Sequence, residues 1–361
     1  MKGKNDEILF SLLRSALWGE EFREKLSQKE FSQVLRLAKE QTVVGLVFDI
    51  LKDAKIEGTQ NKRLIFETLG LTEGIKHQNQ LINRELVSFT QRCEEVGLDY
   101  LVVKGQTYSI LYPKPELRMT GDIDFLVRQE YLDVREVLIK ELSIALPEIM
   151  KEQEIGFNRN GILYELHTSL RTWAKRNHQK VWNALMEREW QKQSFVEIDG
   201  VKVRTLSPTL NAIYVFIHLF FHFIREGVSL RQLCDWMIVL HSYKDEIDKD
   251  LLKEMLSDLD VFDAYGAFGT ILVDHLGLPA NEFPVPLDDN NRKWKVKISK
   301  DIFGGGNFGK LHHKVNISWK FKMETMRLVV RNTFRYYRLC PSEIGGMIPR
   351  LVKINLRLLV G

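Results

Sequence analysis

The sequence predicts an α+β protein, a small mixed sheet flanked by helical N-terminal and C-terminal regions. Three observations lead there. Apolar residues recur at three- and four-residue spacing through residues 5–97, which is the helical period. Between residues 98 and 206 the period gives way to short branched and aromatic runs bounded by glycine, the pattern of strands and hairpins. Ser207 and Pro208 then restore a helical pattern that runs to the end. Three regions follow: a helical one over 1–97, a mixed core over 98–206, and a second helical one with a basic tail over 207–361.

In order along the chain, ILFSLLRSAL, FSQVLRLAKE, VVGLVFDILKDA and LINRELVSFTQRCEEVG read as helices. Gly97 stops the last of them, because glycine accepts the left-handed backbone at a helix end. LDYLVVKG and DIDFLV read as buried strands, with QTYSILY between them as a short helical piece broken by Pro113 and Pro115. EIGFNRNGILYELHTSL reads as a hairpin turning at Asn160-Gly161, and FVEIDGVKVRTL as another turning at Asp199-Gly200. Ser207 is a favoured N-cap and Pro208 a favoured first-turn residue for the helix that follows.

Composition bounds the class. With 361 residues, 44% hydrophobic and 28% charged, the chain can bury a substantial core. Its most apolar stretch, IYVFIHLFFHFI, is shorter than the about 20 residues a spanning helix needs. The N-terminus has acids on both sides of its apolar positions, unlike a signal peptide, so a cytoplasmic location is expected. Cys93, Cys234 and Cys340 are too few and too scattered for a disulfide framework or a zinc motif. Net charge is +4, yet residues 291–361 hold 16 Lys and Arg against 3 Asp and Glu. That asymmetry suits either an anionic partner or a basic solvated face.

The segment that carries chemistry is KGQTYSILYPKPELRMTGDIDFLV, from Lys104 to Val127. Alternate residues of a strand share a face, so Asp122 and Asp124 present adjacent carboxylates while Ile123 and Phe125 point into the core. Carboxylates held this close repel unless a cation lies between them, and hard oxygen ligands suit Mg2+ or Mn2+. Lys104 and Gly105 close one strand and open a helix, which directs backbone N–H groups and a cation at a phosphate. Arg118 adds a planar donor on the approach to the Asp strand. Glu165, in ILYELH, is the third carboxylate, and His167 shares its strand face. Together these residues describe a site for metal-assisted phosphoryl transfer.

The run KG…LYPKPELRMTGDIDFLV followed by LYELH resembles the bacterial uncharacterised nucleotidyltransferase family of the polymerase-beta-like superfamily. The helical N-terminus, the LSPTLNAIYVFIHLFFHF…LRQLCDW stretch and the GGNFG segment extend the resemblance over most of the chain. It implies that Gly105 belongs to the turn cradling a triphosphate and that Asp122 and Asp124 bind two metals. It also implies that Glu165 holds the catalytic metal and orients or deprotonates an attacking hydroxyl. The superfamily usually has Gly-Ser or Gly-Gly at the turn; Gln106 follows Gly105 here, which departs from it. The implied activity is Mg2+-dependent transfer of a nucleoside monophosphate from an NTP, such as ATP, to an unidentified acceptor hydroxyl on a small molecule, a saccharide or RNA. Two rival expectations are a catalytically degenerate binding or scaffold protein on the same fold and a toxin-like enzyme that modifies transfer RNA.

Weaker signals read more plainly. His218 and His222 are one helical turn apart among phenylalanines, which favours a buried or pocket-lining helix over zinc. Arg231 and Asp235 read as a helix ion pair. GGGNFGK over 304–310 has the letters of a phosphate-binding loop, but Leu311 takes the position of its Ser/Thr, so it reads as a loop. Arg327, Arg331, Arg335 and Arg338 form one basic helical stripe, and PRLVKINLRLLVG is amphipathic and cationic. These are outer faces of helices, or a surface for RNA or peripheral membrane contact.

Overall fold

A computed structural model describes residues 3–57, 61–128, 130–146, 154–305 and 319–346, the last with side chains from 327. In chain order the elements are α1 (Lys4–Trp18), β1 (Leu26–Ser27), α2 (Gln28–Glu40), α3 (Val44–Leu51), β2 (Ile56–Glu57) and α4 (Lys62–Glu95). Then come β3 (Tyr100–Val103), α5 (Gln106–Ser109), β4 (Asp122–Val127), α6 (Tyr131–Leu142), β5 (Glu154–Arg159) and β6 (Ile162–His167). After these follow α7 (Arg176–Trp190), β7 (Ser194–Ile198), β8 (Val201–Thr205), α8 (Pro208–Arg225), α9 (Leu230–Ser242) and α10 (Lys249–Asp258). The last are α11 (Phe262–Asp274), α12 (Asp289–Gly305) and α13 (Trp319–Tyr336). The expected α+β class holds, and no helix among the described residues is long and apolar enough to cross a membrane.

The chain forms two compact units, one of residues 62–172 and 188–208, the other of 1–61, 173–187 and 209–361. The first is built on a six-stranded mixed sheet in the order β5-β6-β4-β3-β8-β7. β4 runs parallel to β6, with Asp124 opposite Glu165 and Leu126 opposite His167, and antiparallel to β3, with Val103 opposite Asp124. The helix α4 covers one face. Its Ile82, Leu86, Phe89 and Cys93 recur at helical spacing and pack on Tyr100, Val102, Ile123, Phe125, Tyr164 and Leu166, with Phe89 edge-on to Phe125 at 4.9 Å between ring centres. Alternation then puts Asp122, Asp124, Glu165 and His167 on the opposite face.

Local chemistry sets the boundaries. Gly97 takes φ +68° after α4, and Leu98 N–H reaches back to the Cys93 carbonyl at 2.9 Å, closing the helix end. Both two-residue hairpin turns lie where the sequence puts them, with Asn160 and Gly161 at φ +52° and +80° and Asp199 and Gly200 at +48° and +79°. Positive φ at both central residues is the geometry that matches strand twist. A buried carboxylate on α4 anchors the first hairpin. Glu85 accepts from Tyr164 Oη at 3.0 Å, from Asn160 Nδ2 at 3.0 Å, and from Arg159.

The second unit is mostly helical. A capping box starts α2, where Glu30 N–H donates to Ser27 Oγ and Ser27 N–H donates to Glu30 Oε2 at 2.9 Å. The parallel pairing of β1 with β2, Leu26 opposite Ile56, was not expected, since two residues are too few to show a period. The aromatic stripe of α8 is core: Phe216 packs on Trp236 and Tyr265, with ring centres 4.9 and 4.8 Å away.

Candidate active site

The turn between β3 and α5 is the first component. Lys104 and Gly105 both take positive φ, +59° and +50°, and a Cβ at Gly105 would stand 3.3 Å from the Asp122 carbonyl oxygen. Glycine is therefore required there by backbone conformation and by the close approach of β4. The Lys104 carbonyl is held by Thr107 N–H at 3.0 Å and by Thr107 Oγ at 2.8 Å.

Gln106, the departure from the superfamily pattern, is buried and turned onto α4. Its Nε2 donates to Asn79 Oδ1 at 3.3 Å and to Asn83, and its Oε1 accepts from Ser109 Oγ at 3.1 Å. Arg118 is buried beside it, Nη1 donating to Ser109 Oγ at 3.1 Å. Asn79 Nδ2 also donates to the Glu116 and Arg118 carbonyls at 3.0 and 2.9 Å. This network fixes the turn and the 116–118 loop to the helix beneath them.

The acidic cluster lies where β4 and β6 pair, with Asp124 opposite Glu165. Asp124, Glu165 and His167 offer ligand atoms that all lie within 4.8 Å of one another. One oxygen of Asp124 is the hub: Oδ1 lies 2.8 Å from Lys104 Nζ and 2.8 Å from His167 Nε2. His167 Nε2 is 3.9 Å from Glu165 Oε2, and its Nδ1 is 3.6 Å from Glu154 Oε2. Asp122, half-buried one pleat earlier, adds its charge to those acting on Glu165.

The electrostatics separate the two carboxyls. Burial pushes Asp124 up, but the Lys104 ammonium and the hydrogen bond from His167 outweigh it and hold the carboxyl well below its ordinary range. Asp124 is thus an anion and an acceptor, so His167 Nε2 carries the hydrogen of their bond. Glu165 moves the other way, pushed up to about 8 by burial and then by the Asp124 charge. Two carboxyls that resist joint ionisation beside an imidazole fit a divalent cation. Glu154 Oε2, 3.6 Å from the other ring nitrogen, adds an acidic neighbour to the imidazole.

The residues expected from the sequence are distributed as follows. Lys104, Asp124, Glu165 and His167 meet in one cluster, with Asp122 and Gly105 beside it. The Lys104 ammonium, expected to face a phosphate, pairs with Asp124 Oδ1. The side chains of Gln106 and Arg118 join the network under the turn. Glu154 was overlooked, although its signal was present: counting back from the Asn160-Gly161 turn sets it opposite His167, as observed.

Weaker candidates belong to the helical unit. His218 and His222 lie with ring centres 4.3 Å apart and planes tilted by 51°, and His222 Nδ1 is 3.5 Å from Glu226 Oε2. Arg231 and Asp235 form the expected i,i+4 pair at 3.5 Å. In the basic stripe, Arg327, Arg331 and Arg338 are exposed, whereas Arg335 turns to Asp301 at 3.3 Å. Residues 306–310 of GGGNFGK and residues 349–361 lie outside the described residues.

No curated protein matches the chain. Among solved structures, it is similar to an antigenic nucleotidyltransferase-like protein from Paracoccidioides brasiliensis, at 15% identity and a TM-score of 0.35, over 54% of this chain and 92% of that one. The family model described as uncharacterised nucleotidyltransferase matches residues 27–277. That range is well over half of the chain and holds the glycine turn and both acidic strands, and the chain belongs to this family.

Proposed function

We propose that this chain is a nucleotidyltransferase that moves a nucleoside monophosphate from an NTP, ATP among the candidates, to the hydroxyl of a small molecule, saccharide or RNA, the hydroxyl oxygen bonding to the α-phosphorus as the α–β anhydride breaks and pyrophosphate leaves. The observation that carries the reading is the convergence of Asp124, Glu165 and His167 beside the Lys104-Gly105 turn. Asp122, Asp124 and Glu165 are the residues that would hold Mg2+ or Mn2+. Bound there, the cation supplies charge neutralisation on the phosphates and a lowered pKa at the acceptor hydroxyl. The chain's own groups then position and neutralise. His167 orients Asp124 through the 2.8 Å hydrogen bond, Glu165 would orient or deprotonate the acceptor hydroxyl, and the Gly105 turn would admit phosphate close to the backbone.

Incubation with each labelled NTP, Mg2+ and cell extract tests this reading. It predicts a labelled metabolite or macromolecule with wild type and none with Asp124→Asn. Equal labelling by that variant would contradict it.

One contact favours a second reading, a catalytically degenerate binding or scaffold protein. The Lys104 ammonium on Asp124 Oδ1 already neutralises the cluster from within. Calorimetry separates the two readings, because a degenerate protein would bind neither nucleotide nor Mg2+.

A further inference from the structure

The cluster holds a cation of its own, and its placement has consequences for binding order. Lys104 Nζ sits 2.8 Å from Asp124 Oδ1, the oxygen that His167 also engages. The Lys104 side chain is 14% exposed and that of Asp124 is 4%, so the pair is poorly screened by solvent. The backbone of Lys104 is fixed in the left-handed region and by two hydrogen bonds to its carbonyl. Its ammonium, by contrast, ends a flexible four-carbon stem with three rotatable donors and can change partners without moving the turn. Ammonium and divalent cation compete for the same carboxylate oxygen. A displaced ammonium left beside the turn would lose its 2.8 Å contact with Asp124, which is costly for a mostly buried cation. A triphosphate brought to the glycine turn is an anion within the reach of that stem.

We infer that Lys104 is an exchangeable counter-ion: it holds Asp124 while nucleotide is absent and transfers to the triphosphate when metal and nucleotide arrive together. The inference rests on the nucleotide-transfer reading above. Its consequence is coupling, in that metal alone binds weakly because it must displace the ammonium, and nucleotide relieves that competition. Linkage makes the coupling reciprocal, and a typical value is about tenfold.

The test uses the full chain, Mn2+ as the metal probe and a non-hydrolysable α,β-methylene NTP, with binding read by calorimetry and by Mn2+ spin resonance. Wild type should bind Mn2+ alone weakly and about tenfold more tightly with the analogue present. Lys104→Met should bind Mn2+ alone about tenfold more tightly than wild type, bind the analogue more weakly, and show no enhancement of one ligand by the other. Lys104→Arg keeps a cation on the turn and should retain the coupling. Melting curves without metal provide a readout independent of nucleotide: Lys104→Met should melt below wild type and regain more on adding Mn2+. If Lys104→Met binds Mn2+ no better than wild type, or keeps the enhancement, the exchange is overturned even though the site binds metal and nucleotide. If neither protein binds either ligand, the nucleotide-transfer reading fails and takes the exchange with it.

Discussion

Asp124 holds both the Lys104 ammonium and the His167 imidazole on Oδ1, so its replacement acts on both chemistry and folding. Asp124→Asn removes a ligand charge and should lower turnover by at least about a hundredfold. It also leaves the Lys104 ammonium facing a neutral amide, and should cost roughly 1–3 kcal/mol in a urea titration. Glu165 gives a pH signature. Its carboxyl, ordinarily ionised near 4.5, stays protonated in the metal-free fold up to about 8. Between those values the folded chain binds more protons than the unfolded one, so stability falls as pH rises through that window and levels off above it. Urea midpoints of the metal-free protein should show this decline, and Glu165→Gln should flatten it. The acidic residues were legible because strand alternation alone puts Asp122 with Asp124 and Glu165 with His167. The direction of the Lys104 side chain was not, because a flexible stem leaves no periodic trace and its partner is set by where β4 happens to run.

Two glycine turns hold the acidic strands in place, and they should respond differently to the same change. Gly105→Ala and Gly161→Ala each force a left-handed alanine and should each cost roughly 1–2 kcal/mol in denaturant unfolding. A Cβ at Gly161 meets nothing within 4 Å, while one at Gly105 lies 3.3 Å from the Asp122 carbonyl. Only Gly105→Ala should therefore also weaken Mn2+ binding, as measured by calorimetry. Equal binding loss in both variants would show that the close approach to Asp122 is unimportant. At this scale the hairpins were readable to the residue, since Asn160-Gly161 and Asp199-Gly200 dictate both turn and register. The 34-residue length of α4 and the pairing of β3 with β8 were not. The first lacks an internal stop or cap signal that marks its start, and the second joins Val102 to Thr205 across a separation that no local pattern encodes. Gln106 belongs here too: the sequence shows only that it departs from the superfamily pattern after Gly105, and the asparagines of α4 explain where its side chain lies.

For the whole chain, the α+β class followed from two changes of hydrophobic period, and the family from motifs that the fold brings together on the adjacent strands β3, β4 and β6. The division into units was less legible, because α4 reads as one more N-terminal helix yet supplies the core beneath β3, β4 and β6. The charge asymmetry survives in the fold as exposed residues of α13 and the turn after it, where Arg327 and Arg331 stand with exposed Val330 and Phe334, and Arg338 with Tyr337. All of the proposed chemistry depends on whether Asp124, Glu165 and their neighbours share a divalent cation. Anomalous diffraction from crystals grown with Mn2+ addresses this directly. The expected result is a manganese peak bonded to Asp124 and Glu165, with the Lys104 ammonium withdrawn from Asp124 Oδ1. A cluster that stays free of manganese at saturating concentration, with Lys104 still paired to Asp124, would contradict the account.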